Sequence, residues 1–504
     1  MKKSHLVSLA LVTAVLFVIL FYKKAMGVNL FLFEAVVISV MLYLNRPIKF
    51  NLLTTSILFA TALTAIFAVI ANTSWGIVVN FVLLFCLGYV LVFQKGKSFF
   101  HAVWGSFLRC FLAQITVFSL YSKDKTKVND TDFWGRKLFK FFFIVCVPVC
   151  ILLIFSALYA VSSTLFAQSI ASFFDKIEKL LSNIDFSLFW FFILGIIVAN
   201  PLLMRTKTLS IYENDLSSTN SLKRIRRKHA FPFRTTALRT QNMAGIVLLI
   251  LLNALILCFN CVDIANVWIK FQWNGQFLKE FVHEGTWILL FSVFVSAAIA
   301  LYFFQNNLNF FSKNKLLKHL TVIWIAQNLV MTISVTIRNL YYINYFGLAY
   351  KRIAVLFFLA LVAIGLITII IKILKVKTNY FLWRINGLSL LLVLTVSSLF
   401  NWDVIIAKYN FKHYNRSLIE YSFIYELSDA TLPYSIKTIE ELSIIDAAQP
   451  FVTSKSYWWT YQKYYKNINN KRDKFLKTYK SRSILEWNLP DYVAYRKLVL
   501  QSKK

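Results

Sequence analysis

The sequence predicts an all-α bundle of membrane-spanning helices, and three observations predict it. Of 504 residues 58% are hydrophobic and only 15% charged, with a mean hydropathy of +0.62. Soluble domains average about 45–50% apolar and about 25% charged, so this chain has too little polar surface to cover a water-soluble globule. Its apolar residues fall into runs of about 20, the length a helix needs to cross the hydrocarbon of a bilayer. Lys and Arg gather in alternate gaps between those runs, as they do in the cytoplasmic loops of multipass proteins. The 13 glycines and 7 prolines exclude collagen-like and low-complexity chains, and 49 phenylalanines suit lipid-facing and helix-packing surfaces.

Taken in order, spans are predicted at about 6–22, 28–44, 52–71, 75–93, 139–166, 186–204, 243–268, 286–304, 319–341, 353–371 and 380–400, about eleven in all. The first follows Lys2 and Lys3 like a signal peptide. It runs into Phe21-Tyr22-Lys23-Lys24 without a small-residue cleavage pattern, so it reads as a retained anchor. Residues 99–121 are long enough to span but are interrupted by His101, Arg109 and Gln114, and 168–183 mix charges with Phe and Leu at helical spacing. Both read as helices lying in the interface. From Asn401 the hydrophobic runs end, and 17 Lys+Arg face 10 Asp+Glu with Pro433, Pro450 and Pro490 as punctuation. The chain thus divides into a four-span region with an interfacial helix (1–135), a seven-span core (136–400) and a mainly helical module (401–504).

Charge orients the spans. With 99–121 in the interface and the N-terminus inside, the inner segments hold 27 basic residues, nine of them across 205–240, and the outer loops hold eight. That bias puts the N-terminus in the cytoplasm and the C-terminal tail outside. The same bias explains the formal charge of +33, which in a soluble protein would suggest nucleic acid; no nucleic-acid partner is expected here. Lys223, Arg224, Arg226, Arg227 and Lys228 form the densest basic cluster. It reads as a topology anchor that can also contact anionic lipid headgroups.

Ionisable groups in hydrocarbon cost about 2.5–3.5 kcal/mol each on insertion scales, so each needs a partner, a cavity or the interface. Glu34, Asp263, His283, Glu284, Arg338 and Arg352 all fall in the outward halves of their predicted spans. Asn253, Asn260 and Asp263 share one face of the seventh span, at offsets of seven and three. Gln327, Ser334 and Arg338 share one face of the ninth, at offsets of seven and four. Those faces are expected to meet inside the bundle, with Arg338 pairing Asp263 or Glu284. The set Glu34, Asn260, Asp263, His283, Glu284, Arg338 and Arg352 is therefore either an outward polar pocket or an interfacial ion-pair network.

Several short patterns resemble an uncharacterised bacterial multipass family, domain of unknown function 4173, over roughly 185–495. They are His283-Glu284-Gly285 opening a span, Arg338 ending the next, and Tyr345, Gly347-Leu348 and Arg352 opening the one after. Asn401, Asp403, Ala407, Tyr409 and Asn410 follow the last span, then Leu427-Ser428-Asp429-Ala430 with Pro433, and Trp487-Asn488-Leu489. The resemblance implies the multipass architecture and no activity.

The sequence names no catalytic residue, metal ligand or cofactor. His283-Glu284 lacks the second His of H-E-x-x-H, and neither a Gly-x-Ser-x-Gly nor a P-loop occurs. Cys258 and Cys261 form a C-x-x-C within a span, where buried small hydrophobes are expected. The six cysteines imply no disulfide framework. The resulting reading is a non-enzymatic protein of a bacterial inner membrane that presents an outward tail to other envelope proteins or senses its surroundings. The alternative is a transporter or lipid-handling protein using the polar faces. A membrane-embedded transferase is a third option: lipid-linked sugar transferases share the outline, but they carry an acidic base in a first outer loop, which here is Lys23 to Gly27.

Overall fold

The computed structural model describes residues 3–121, 158–181, 186–204, 209–224, 234–269, 275–304, 307–449 and 459–501, with scattered positions between 144 and 156. Among the described residues every element is a helix, and one isolated bridge pairs Ser221 with Lys377. Among the described residues six helices are long and apolar enough to cross a membrane: α3 (Leu52–Ile70), α4 (Ser74–Val92), the segment Leu238–Ile269, α11 (Lys315–Phe346), α12 (Tyr350–Leu374) and α13 (Asn379–Ser397). Four shorter apolar helices lie within α1 (Lys3–Phe21), α2 (Val28–Leu44), α7 (Ser187–Leu203) and α10 (Gly275–Phe303). The apolar helices are compatible with a multipass membrane protein. The predicted span 139–166 lies partly outside the described residues; those of its residues that are described are helical except Ser163.

Local chemistry sets the helix ends. Asn51, Thr73, Thr378 and Asn401 cap the first turns of α3, α4, α13 and α14 (Trp402–Lys412), each side chain accepting a backbone N–H that the helix itself leaves unpaired. Pro201 is tolerated in the last turn of α7.

Two opposite ends of the bundle can be distinguished. Helix α1 runs antiparallel to α7: Ala14 faces Gly195, Phe17 stacks on Phe191 at 5.4 Å, and Tyr22 bonds Ser187 at 2.5 Å. The α1–α2 loop, the α3–α4 loop and the α11–α12 loop all meet the C-terminal module, which defines a tail end. At the other end, Asn51 bonds the carbonyls of Gln94 and Gly96, and the buried Asp215 of α8 (Leu209–Ser217) accepts from Lys97 N (2.6 Å) and Tyr380 Oη (2.7 Å). Helix α4 finishes at this far end while α7 starts at the tail end, so the chain between residues 93 and 186 changes ends.

Helix α5 (Phe99–Tyr121), expected to lie in the interface, is instead packed lengthwise between α4 and α7. Ser106 donates to Phe85 O at 3.2 Å, and Gln114 donates to Ile197 O at 3.0 Å while accepting from Asn200. Arg109, which read as an interface marker, is buried and donates to the carbonyls of Gly88 and Met204. It thereby caps the C-terminus of α7, where the helix dipole and the unpaired carbonyls favour a cation. The second expected interfacial stretch is helical over α6 (Thr164–Leu181).

In the second half α9 (Arg234–Asp263) passes into a π-helical turn over Ile264–Ile269 and runs parallel to α11, with α10 as the return helix and α12 and α13 closing the group. Cys258 and Cys261, expected to be buried, are exposed. The tail comprises α14, α15 (Tyr421–Glu426), α16 (Leu432–Ser435), α17 (Ile439–Ala447), α18 (Tyr461–Lys480) and α19 (Leu489–Gln501). It has its own apolar core of Ile406, Leu432, Leu442, Tyr464, Ile468 and Leu498, which Ile353 of α12 joins.

Candidate functional site

The α9–α11 contact is a polar seam with heptad spacing. Because the helices are parallel, residues seven apart on one meet residues seven apart on the other. Asn253 donates to Leu320 O (3.1 Å) and accepts from Gln327 (2.9 Å); one register further, Asn260 donates to Gln327 O (3.1 Å). The seam ends at Asp263, whose carboxylate accepts from both Ser334 and Arg338. Asp263 and Arg338 are both buried, so each charge is neutralised where solvent is scarce. The π-helical turn begins at the next residue.

Of the other expected members, Asn260 belongs to the seam, while Glu34 and Arg352 make their contacts elsewhere. Glu34 sits among α2, α3 and α4, where Asn80 donates to it at 3.1 Å. Arg352 turns toward its own loop, donating to the carbonyls of Phe346 and Gly347 and lying over the Tyr342 ring at 4.5 Å. It closes the C-terminus of α11. His283 and Glu284 lie on α10, with their side chains outside the described residues. In the basic cluster Lys223 and Arg224 are exposed, while Arg226, Arg227 and Lys228 lie outside the described residues.

A second polar system, which the sequence did not single out as a unit, joins the tail to the bundle. Asn29 is buried and organises the α1–α2 loop: it accepts from Gly27 N (2.7 Å) and donates to the carbonyls of Leu20 and Ala25 (both 2.9 Å). The loop so shaped receives the tail, with Val28 N donating to Trp487 O at 3.0 Å and Ala25 N to Glu486 at 3.1 Å. Asn72 donates to Met26 O (2.7 Å), and Asn401 to Ala71 O (2.8 Å). Asn410 grips the α11–α12 loop from both sides, accepting from Leu348 N at 2.6 Å and donating to Leu348 O at 3.0 Å. Gly347 at φ +80° makes room for it, since a Cβ there would lie 2.7 Å from Asn410 Oδ1. Asp403 accepts from Tyr350 and from Ser428 N.

A family model, described as a domain of unknown function (DUF4153), matches residues 58–438. The chain belongs to the DUF4153 family. The matched stretch takes in the α9–α11 seam and the joint residues from Asn72 to Ser428. No curated protein and no solved structure matches the chain.

This membership overturns the resemblance to domain of unknown function 4173. The motifs that carried it have a simpler physical origin. Asn401 is a helix cap, Asn410 and Asp403 are loop ties, Asn488 caps Asp491 N at 3.0 Å, and Arg352 closes a helix end. Such residues recur wherever membrane helices must satisfy their ends, so their order along a chain does not discriminate between families.

The joint also predicts a pH response. Partial burial works to raise the Glu486 carboxyl. The N–H groups of Ala25 and Ser483, the Ser483 hydroxyl and Arg482 together hold it below the ordinary carboxylate range. A depressed carboxylate stabilises the docked state above its free pKa of about 4.3, and that contribution is lost as pH falls through the lower docked value. Proteolytic release of the tail is therefore expected to accelerate below about pH 4. Glu486→Gln should remove this acid step; an unchanged step in the variant would assign it elsewhere.

Proposed function

We propose that the protein is a multipass component of a bacterial inner membrane that acts by holding its C-terminal helical module in a fixed pose on the extracytoplasmic end of about eleven spans. There the module meets other envelope components. The observation that carries this reading is the joint: three separate loops of the bundle bond the module, far more than a tethered tail needs. The charge distribution supports the orientation, with the described stretch 209–224 of the basic 205–240 segment at the far end and the module at the other. The antiparallel α1–α7 contact supports the odd span count, because it sets the direction of α7 whichever of residues 93–186 cross.

Orientation is tested by reporter fusions. Fusions after Lys504 are expected to be active outside the cytoplasm and those within 210–235 inside; the reverse at both places would refute the orientation. Function is tested by placing photocrosslinkers at Ile444 and Tyr465, which are exposed on the module. Reproducible crosslinks to envelope proteins are expected. Turnover of a substrate by the isolated protein, with no crosslinks, would refute the reading.

A further inference from the structure

Glu34 lies in the middle of α2 with 1% exposure, and Asn80 on α4 has none. Asn80 Nδ2 donates to Glu34 Oε2 at 3.1 Å and also contacts Thr64 Oγ1 (3.0 Å) and Thr61 O (3.4 Å). Two oxygens remain without a hydrogen-bond partner: Glu34 Oε1 and Asn80 Oδ1. Neither can donate to the other while the carboxylate is ionised, because both are then acceptors only.

The surroundings offer no counter-charge. Of the helices packed against α2, α3 and α7 carry no ionisable side chain, and α1 carries only Lys3 and His5, in its first turn at the far end. Helix α4 carries only Cys86 and Tyr89, which lie beyond Asn80 toward its C-terminus. At the tail end Lys23, Lys24 and Glu486 lie in or against the loop before α2, about two turns before Glu34. No cation forms an ion pair with Glu34 among the described residues. An ionised carboxylate buried in hydrocarbon without one is heavily penalised.

We propose that Glu34 and Asn80 form a proton-binding site within the membrane, with Glu34 neutral and donating its proton from Oε1 to Asn80 Oδ1. A carboxylic acid and a primary amide pair through two opposed hydrogen bonds, and one of these is already present. The two unpartnered oxygens are the ends that the second would join, so one proton satisfies both. Thr61 and Thr64 hold the amide from the other side: Thr64 Oγ1 donates to its own helix backbone at Ala60 O (2.9 Å), which leaves its lone pairs for Asn80. The ligand of the site is H⁺. It leaves when pH rises or when separation of α2 from α4 admits water to solvate the anion.

The test is infrared difference spectroscopy on the full-length protein in liposomes, titrated in pH with and without sodium. The expected result is a neutral-carboxyl C=O stretch present at neutral pH, absent in Glu34→Gln and indifferent to sodium. In Asn80→Leu it should shift to the higher frequency of an unbonded acid. Glu34→Gln should accumulate like the wild type, because its amide offers Asn80 the same donor and acceptor, whereas Glu34→Ala should accumulate less. Absence of the stretch at neutral pH would overturn the proposal. So would a stretch insensitive to Asn80→Leu, and one that sodium abolishes would replace the proton with a bound metal cation.

Discussion

Arg338→Ala is expected to reduce the amount of folded protein in the membrane severalfold, and adding Asp263→Asn is expected to restore part of it. The single change leaves the Asp263 carboxylate buried, with Ser334 as its remaining partner among the described residues, at the end of the α9–α11 seam. Removing one member of a buried ion pair typically costs about 3–5 kcal/mol, mostly from the stranded charge. Asparagine in place of Asp263 removes that charge and keeps an acceptor for Ser334, so the double variant should exceed Arg338→Ala alone. Arg338→Lys should fall between, since an ammonium lacks the planar fork that reaches a carboxylate from one side. Detergent-solubilised yield and thermal unfolding of wild type, Arg338→Ala, Asp263→Asn and the double variant form a double-mutant cycle. Equal stability of wild type and all single variants would mean that the pair contributes nothing and the seam is held by its amides.

The seam was largely legible in the sequence, because residues that share a helix face at offsets of seven announce a two-helix contact. Asn253, Asn260 and Asp263 and their counterparts on α11 form such a pattern; the structure adds that Asp263 pairs Arg338. Depth in the membrane carries no information about which separate faces meet, so a shared place in the outward halves grouped Glu34 and Arg352 with that pair. One belongs to α2–α4 and the other to its own helix end. Arg109 was misread for a related reason. A lone arginine in an apolar stretch looks like an interfacial side chain until the helix end it caps, 95 residues away in sequence, is brought alongside. The joint was invisible. Asn410 and Leu348 are 62 residues apart, Asn72 and Met26 46, and Asn401 and Ala71 330, so no local spacing connects them. An asparagine near a helix end reads as a cap whether or not it also holds a distant loop.

Gly27→Ala should release the tail from the bundle while leaving the spans intact. An added Cβ would lie 2.4 Å from Trp487 O and 2.7 Å from the Glu486 backbone, so both obstacles are main chain and neither can rotate away. Relief requires the 486–487 turn to withdraw, which breaks the Val28 N to Trp487 O bond and draws Glu486 away from Ala25 N. Overpacking of this kind costs about 1–3 kcal/mol, and each backbone group then left buried and unpaired adds about 1–3 kcal/mol. Asn410 and Asn401 hold the module elsewhere, so the turn and α19 should loosen first while α14 stays seated. Limited trypsin digestion of inverted and right-side-out vesicles reads this directly, since α18 and α19 are rich in Lys and Arg. Cleavage after Arg482 or Lys497 should accelerate in Gly27→Ala, from the side where the tail lies, with little change in the α11–α12 loop. Gly365→Ala, on α12 where a Cβ meets nothing within 4 Å, is the matched control and should digest like the wild type. If Gly27→Ala also digests like the wild type, the 486–487 turn is not held against α2 in the membrane. The module would then be anchored by its asparagine ties alone.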